Sequence, residues 1–411
     1  MLKNILMALA LAASGLLQAE TDSALAWQFE APDMVIGKPV LDGDTIYTSA
    51  GKHLFALDKS GHKRWQYDAG AAIAAAVALA GERILLHADN GVHALDRHGR
   101  RLWFFAAQDA EATTDGTSWG WGEGRFSRTW AWYRSAPLVV GERIFVGIGG
   151  GVQALSLSDG KPLWRQETGV VHTDPVHHEG IVIVGSWDNH LYGLDAQSGD
   201  IAWQFVGRLP QGAMAGWDGW PGFNLTPQLH GGRVYVGSRG AYFYSIDART
   251  GVEQWSSKYA NSWIGSPATI SGGTVYFGLS DGLGVMGQDL NNGHLKFFAP
   301  TNHLVFAQPA IAGRELVVGT LAGELFAVDL ETGARRALFQ STRSRANQAI
   351  YVRPEGGIRM DEEAEKDGSH AGSVAYMRRM LSGLDAILNL TTDGSYVYAG
   401  TAGGKLYAVR L

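Results

Sequence analysis

The sequence predicts an all-β protein, an eight-bladed β-propeller of four-stranded antiparallel blades whose N-terminal strand closes the last blade. Three observations carry this expectation. A Gly-x-x-x-Trp motif recurs at Gly61 to Trp65, Gly99 to Trp103, Gly160 to Trp164, Gly199 to Trp203 and Gly251 to Trp255. Each copy belongs to a unit of about 40 residues, the length of a propeller blade. The last unit stops at Leu411 before its own motif, while Trp27-Gln-Phe29 stands as far ahead of Pro39 as Trp65 stands ahead of Val77. The N-terminal segment therefore supplies the missing strand and removes two exposed sheet edges.

Within each unit the elements follow in a fixed order. A proline or its substitute opens it, at Pro39, Val77, Pro137, Pro175, Pro227, Pro267, Pro309 and Leu390. An alternating apolar run follows, such as Arg233-Val-Tyr-Val-Gly237 or Tyr396-Val-Tyr-Ala-Gly400, and then a glycine-rich turn. A second run such as Leu191-Tyr-Gly-Leu-Asp195 ends on an aspartate, repeated at Asp58, Asp96, Asp247, Asp289 and Asp329, with Ser156 standing in for it in the third unit. Short β-branched and aromatic runs between Gly, Asn and Asp turns are strands. The motif then degrades, to Phe297 after Gly293 and to Ala337 after Gly333.

Composition excludes much else. The 411 residues include 55 glycines, about twice the usual share of roughly 7%, which tight turns between many short strands would use. With no cysteine there is no disulfide scaffold, thiolate metal site or cysteine nucleophile. A net charge of −6 lacks the basic footprint of a nucleic-acid binder. Residues 1–19 read as a signal peptide: Lys3 precedes an apolar run from Ile5 to Leu17, with Ala19 at the cut. That leaves residues 20–411 as one propeller, expected to be periplasmic, soluble and monomeric, with no integral membrane segment after cleavage.

The stretches Gly193-Leu-Asp-Ala-Gln-Ser-Gly-Asp-Ile-Ala-Trp203 and Ser245-Ile-Asp-Ala-Arg-Thr-Gly-Val-Glu-Gln-Trp255 are similar to the tryptophan-docking motif of the PQQ-type propeller repeat family. The resemblance covers essentially the whole mature chain and implies a BamB-like or related exported propeller. It also implies that Trp27, Trp65, Trp103, Trp164, Trp203 and Trp255 pack between neighbouring blades. The family includes quinoprotein dehydrogenases, BamB-type outer-membrane assembly scaffolds and many binding proteins, and one fold hosting several functions is general.

Connection lengths locate the expected functional face. The segment from the motif tryptophan to the next opening proline holds to about 12 residues except after Trp103, Trp203 and Ala337. The insertions, at about 106–134, 206–225 and 340–387, thus share one kind of connection and one face. Loops on a rigid scaffold are where function concentrates. Eight tryptophans outside the docking motif map there too: Trp119, Trp121, Trp130, Trp132, Trp187, Trp217, Trp220 and Trp263. With Arg125, Arg128, Arg134, Asp188 and Asp218 they form the candidate surface for an envelope protein or a small aromatic or sugar-like ligand. The third insertion reads as one or two short helices over the funnel mouth.

Catalytic and metal signals are sparse. Asp361-Glu-Glu-Ala-Glu365 lacks calcium-loop spacing. His177 and His178 fall at the opposite end of a strand from His172 and Asp174, so no metal site is expected. Asn261, Asn302 and His303 sit in other connections of the elaborated face. The favoured reading is a non-catalytic binding propeller, and two others stay open: an outer-membrane protein assembly scaffold and a PQQ-dependent oxidoreductase. Only the last would bring a cofactor, PQQ with calcium, using Asp188 or Asp218 as base.

Overall fold

The computed structural model describes residues 24–107, 134–209, 222–259, 262–359 and 370–411. They form thirty-two strands in eight four-stranded antiparallel sheets, with two helices after the seventh sheet. Blade one shows the pattern: Val40–Asp42, Thr45–Ala50, His53–Asp58 and Lys63–Asp68, in that order from inside to outside. Blade eight is composite. Ile387–Thr392, Tyr396–Thr401 and Lys405–Arg410 are completed by the N-terminal strand Leu25–Glu30, paired antiparallel to the C-terminal one with Gln28 opposite Tyr407.

Burial explains the strand sequences. The two middle strands of a blade are packed on both faces by neighbouring blades, so they read as nearly unbroken apolar runs such as Ile84-Leu-Leu86 and Val182-Ile-Val184, each 0% exposed. The outermost strands alternate instead: Lys63–Asp68, Arg101–Ala106 and Pro162–Glu167 bury only every second side chain in part. In blades one to six the outer pair also carries a bulge where it enters the turn, between Ala56 and Leu57 in blade one and between Ser245 and Ile246 in blade five, whereas in blade seven the bulge lies at the other end, between Leu325 and Phe326. The extra residue bends the strand and brings the motif tryptophan round toward the next blade.

All six motif tryptophans make the same contact. The indole N–H donates to a backbone carbonyl of the following blade, from Trp27 to Lys59, Trp65 to Arg97, Trp103 to Leu157, Trp164 to Ala196, Trp203 to Ala248 and Trp255 to Leu290, at 2.8 to 3.2 Å. The ring then covers the turn glycine of that blade. A Cβ on Gly251 would lie 2.5 Å from the Trp203 ring, and Gly61, Gly99, Gly160, Gly199 and Gly293 are equally crowded by their tryptophans. Gly251 also has φ +71°, so both its backbone and its missing side chain are required. Gly333 shares the conformation at φ +72° but has nothing within 4 Å, because Phe297 replaces tryptophan in blade six.

The repeated aspartates hold the same turns. Asp195 accepts the N–H groups of Gln197 and Ser198 at 2.8 Å, and Asp329 accepts those of Glu331 and Thr332. Backbone N–H groups in the turn are the main reason Asp58, Asp96, Asp195, Asp289 and Asp329 lie below the ordinary carboxylate value of 3.8, and the Thr250 hydroxyl leads for Asp247. In the third blade, Ser156 pairs with the Ser158 hydroxyl and Asp159 accepts the Lys161 N–H instead.

Two outcomes test this account by chemical denaturation. Trp203→Ala should cost about 3–5 kcal/mol. Gly333→Ala should cost only the left-handed backbone, about 1–2 kcal/mol, whereas Gly251→Ala should add roughly 1–3 kcal/mol of overpacking. Because the turn aspartates have depressed native values, the stability they contribute is complete above their unfolded value near 4 and is lost as pH falls through the native values. Acid titration of the wild type should therefore show stability declining below about pH 4, with a shallower decline when three of these aspartates are changed to Asn.

Candidate functional site

The first end of the axis to consider is the one bearing the long connections. Helices α1 (Thr342–Tyr351) and α2 (His370–Gly383) leave blade seven after Arg335–Gln340. Ser341 caps α1 by accepting the Ser344 N–H at 3.1 Å. In α2 the buried residues Tyr376, Met377, Met380 and Leu381, followed by Leu384, recur every three to four positions and give one apolar face. That face joins Trp263, Leu304, Leu321, Leu388 and Ala402, with Met34, Ile36, Trp187 and Phe306 packed against them. Blades four and eight stand opposite each other in a ring of eight, so a cluster holding both Trp187 and Leu388 lies across the axis.

Polar contacts fasten this lid to the ring. Asp385, 1% exposed and at φ 45°, accepts hydrogen bonds from the Ser341 hydroxyl at 2.6 Å and the Tyr407 hydroxyl at 3.2 Å, with the Arg343 guanidinium 3.6 Å away. Burial, with the Asp385 charge beside it, pushes the Tyr407 hydroxyl well above the ordinary tyrosine value. Ser344 donates to the Ala322 carbonyl, Asn347 to the Gly383 carbonyl, and Tyr376 to the Arg359 carbonyl. Gly357 N–H donates to the Asn302 carbonyl, while the Asn302 amide donates to Glu324. His303 is fully buried, and burial alone brings its imidazole down to about 4, so it is neutral at neutral pH.

The aromatic residues at this face pack into the same assembly. Trp187, in the turn between the second and third strands of blade four, donates its indole N–H to His172 Nδ1 at 3.1 Å. That ring nitrogen therefore carries no proton. Arg239 occupies the corresponding turn of blade five and lies 5.2 Å from the Trp187 ring and 4.2 Å from the Trp263 ring, a guanidinium between two indoles. Trp263 is 7% exposed and its carbonyl accepts the Ser280 N–H. Asp281, beside that turn, is exposed, and desolvation raises its carboxyl above the usual range, with the turn N–H, the Ser280 hydroxyl and Arg239 opposing.

The other residues marked from sequence divide in two. Arg134 is 6% exposed, with its Nε 3.5 Å from Asp89, so it builds the wall of the ring. Asp188 is exposed, accepts the Tyr192 hydroxyl at 2.7 Å and the His190 N–H at 3.0 Å, and thereby serves its own turn. Trp119, Trp121, Arg125, Arg128, Trp130, Trp132, Trp217, Asp218, Trp220 and Asn261 lie outside the described residues, as do Asp361 to Glu365. Arg239 was missed although a signal existed: Gly237-Ser-Arg239 aligns with Gly185-Ser-Trp187 in the repeat.

Comparison with known proteins places this geometry. The family profile described as outer membrane protein assembly factor BamB matches residues 15–120, 110–218 and 215–363. The outer membrane protein assembly factor BamB of Legionella pneumophila (strain Paris) is 27% identical over 134 residues, 33% of this chain and 32% of that protein. A quinohemoprotein alcohol dehydrogenase of Comamonas testosteroni is 29% identical over 140 residues, 29% of this chain and 19% of that protein. These matches thus span about a third or less of either relative. The crystal structure of BamB from Moraxella catarrhalis superposes with a TM-score of 0.65 at 17% identity, over 94% of this chain and 99% of that one, a likeness of fold.

The second relative prompts a test for a quinone cofactor with its metal. A flat cofactor needs an open slot on the axis, and among the described residues Met377, Met380, Leu381 and Trp263 fill that position at this face. No group of three or more His, Cys, Asp or Glu gathers to hold a metal ion among the described residues. The described residues therefore do not fit the group.

Asp385 offers a direct test of the lid. Asp385→Ala removes the acceptor of two buried hydroxyls and should cost about 3 kcal/mol. Limited proteolysis should then cut within α1 and α2 while the β-sheet circular dichroism is retained. Equal protease resistance of variant and wild type would show that the helices are held by the apolar cluster alone.

Proposed function

The chain belongs to the family described as outer membrane protein assembly factor BamB, and on that premise we propose that it is a non-catalytic envelope scaffold that holds a partner protein on its elaborated face. The observation that carries this reading is the lid. The helical connection after blade seven caps this face, and the apolar cluster beneath it is spent on closing the axis. A capped surface suits protein docking better than enclosure of a small substrate. The lid itself carries exposed arginines, Arg353 beside α1, next to the exposed Glu355, and Arg378 and Arg379 on α2, in a protein of net charge −6. Ile350, 56% exposed on α1, adds an apolar contact between them. This favours a partner with an acidic docking segment and an apolar anchor.

The signal peptide at residues 1–19 and a soluble periplasmic location belong to the same proposal, as does a contact role for the tryptophans of the first two insertions. Among the described residues no helix is long and apolar enough to cross a membrane. Catalysis is not part of the reading: Asp188 is occupied by Tyr192 and His190, and the axial space at this face is filled.

Deleting the gene in its own host should lower the level of outer-membrane β-barrel proteins, and the wild-type chain should restore it. The double variant Trp217→Ala, Trp220→Ala should fold, by circular dichroism, and restore less. Unchanged barrel levels after deletion would overturn the scaffold role. Stoichiometric uptake of PQQ and calcium by the purified protein, with dye reduction on addition of an alcohol, would overturn its non-catalytic character.

A further inference from the structure

The opposite end of the axis carries a different site. Where the inner strands begin, at the neck of the ring, the position two residues ahead of each recurs once per blade, and two of the eight, Lys38 and Gln308, line a cavity. That position is Ala76, Ala136 and Pro267 in blades two, three and six, and polar in the rest: Lys38, Asp174, Thr226, Gln308 and Asn389. Asn389 is included because Thr391 pairs with Tyr398 as Val40 pairs with Tyr47. From this neck a cavity of about 510 Å³ runs along the inner strands of blades five to eight and reaches the turn at Gly272 and Gly273, on the face away from the helices. Its size is that of an ordinary small-molecule site, roughly 300–1,000 Å³.

The wall of this cavity has a defined chemistry. Lys38 is its one cationic lysine or arginine among the lining residues, and Gln228, Thr269, Gln308, Thr391 and Thr392 supply amides and hydroxyls. Lys38 is exposed to solvent, and desolvation of its ammonium lowers its pKa, with the Asp174 charge opposing. Among the described residues it makes one hydrogen bond within the protein, to Gln308 Oε1 at 2.8 Å, and an ammonium has three donors. The charge that acts on it is Asp174, three blades round the neck, and Lys38 is likewise the charge acting on Asp174. Asp174 is not within ion-pair distance, because its Oδ1 is held by the Ala136 N–H at 2.7 Å and its own N–H donates to Thr226. A cation in a concavity, with two donors left and no carboxylate in contact, is an anion site.

We propose that this channel binds a small hydroxylated organic anion, whose carboxylate is held by Lys38 and whose hydroxyl groups meet the amides and hydroxyls of the inner strands. The site lies away from the elaborated face and does not depend on the scaffold role. Asp174 governs its pH response. Burial pushes this carboxyl up to about 6, with the Ala136 N–H, Lys38 and Thr226 opposing. Above that value its negative charge competes with the ligand for Lys38; below it the neutral acid leaves the ammonium to the ligand. His230, at the far end of the channel, is the other titratable lining group.

The test titrates gluconate into the full-length protein, with glucose as the uncharged counterpart, followed by calorimetry and amide chemical shifts. Gluconate should bind, glucose should not, and the shifts should cluster at Gln228, Thr269 and Thr391. Lys38→Met should weaken gluconate at least tenfold. Wild-type affinity should be several-fold higher at pH 5 than at pH 7.5, and Asp174→Asn should flatten this dependence at the tighter level, with His230→Gln leaving it in place. Equal binding of gluconate and glucose by the wild type, shifts scattered over the outer surface, or full affinity in a folded Lys38→Met would overturn the site. A pH dependence that survives Asp174→Asn and disappears in His230→Gln would overturn the role of Asp174.

Discussion

Six of the eight blades of this protein depend on a tryptophan of the neighbouring blade seated on their turn glycine. A four-stranded sheet cannot bury both faces alone, and the indole joins one sheet to the next through both surface area and a directed hydrogen bond. The contact needs three things together: a glycine with positive φ and no side chain, an aspartate holding the turn open, and a bulge that swings the tryptophan across. Gly251, Asp247 and Trp203 show all three at the interface of blades four and five. The high glycine content follows from this repeated geometry rather than from any one site.

The ring changes its method of closure where the motif fails. Phe297 and Ala337 stand where tryptophan is expected, and Gly333 has no ring above it. At the interface of blades seven and eight, Phe339 meets Tyr407 at 4.7 Å. The helical insertion leaves the chain at the same place. Its anchor Asp385 draws together Ser341 from the end of blade seven and Tyr407 from blade eight, so the lid also clamps the weakest sector of the ring. Beyond it, the composite blade is tied to blade one by Trp27 on Gly61 and by the Lys59–Asp393 ion pair, which with the turn N–H groups holds Asp393 at about 2 against the opposing effect of burial.

The two ends of the axis are therefore unlike. One is closed by a lid whose tyrosine, methionines and leucines pack on ring tryptophans; the other opens into a polar channel lined by a lysine. The helical connection after blade seven builds the first. The second needs no insertion, since single positions ahead of each inner strand converge on the axis. A capped face and a polar channel thus share one ring without competing for residues.

Much of the architecture is legible in the sequence. The Gly-x-x-x-Trp spacing determines the blade count, the truncated last unit determines that Leu25–Glu30 joins Lys405–Arg410, and unequal connections mark one face as elaborated. These are local or periodic facts, and repetition makes local facts reliable. Only the tertiary structure decided what the marked residues do. Trp187 and Trp263 are partners of Arg239 and the lid, and Arg134 lies in the wall beside Asp89. Lys38, unremarkable as the neighbour of Pro39, lines the channel and feels the charge of Asp174, the neighbour of Pro175. A ring brings together residues more than a hundred positions apart, and no spacing along the chain records which side of the axis a single side chain will meet.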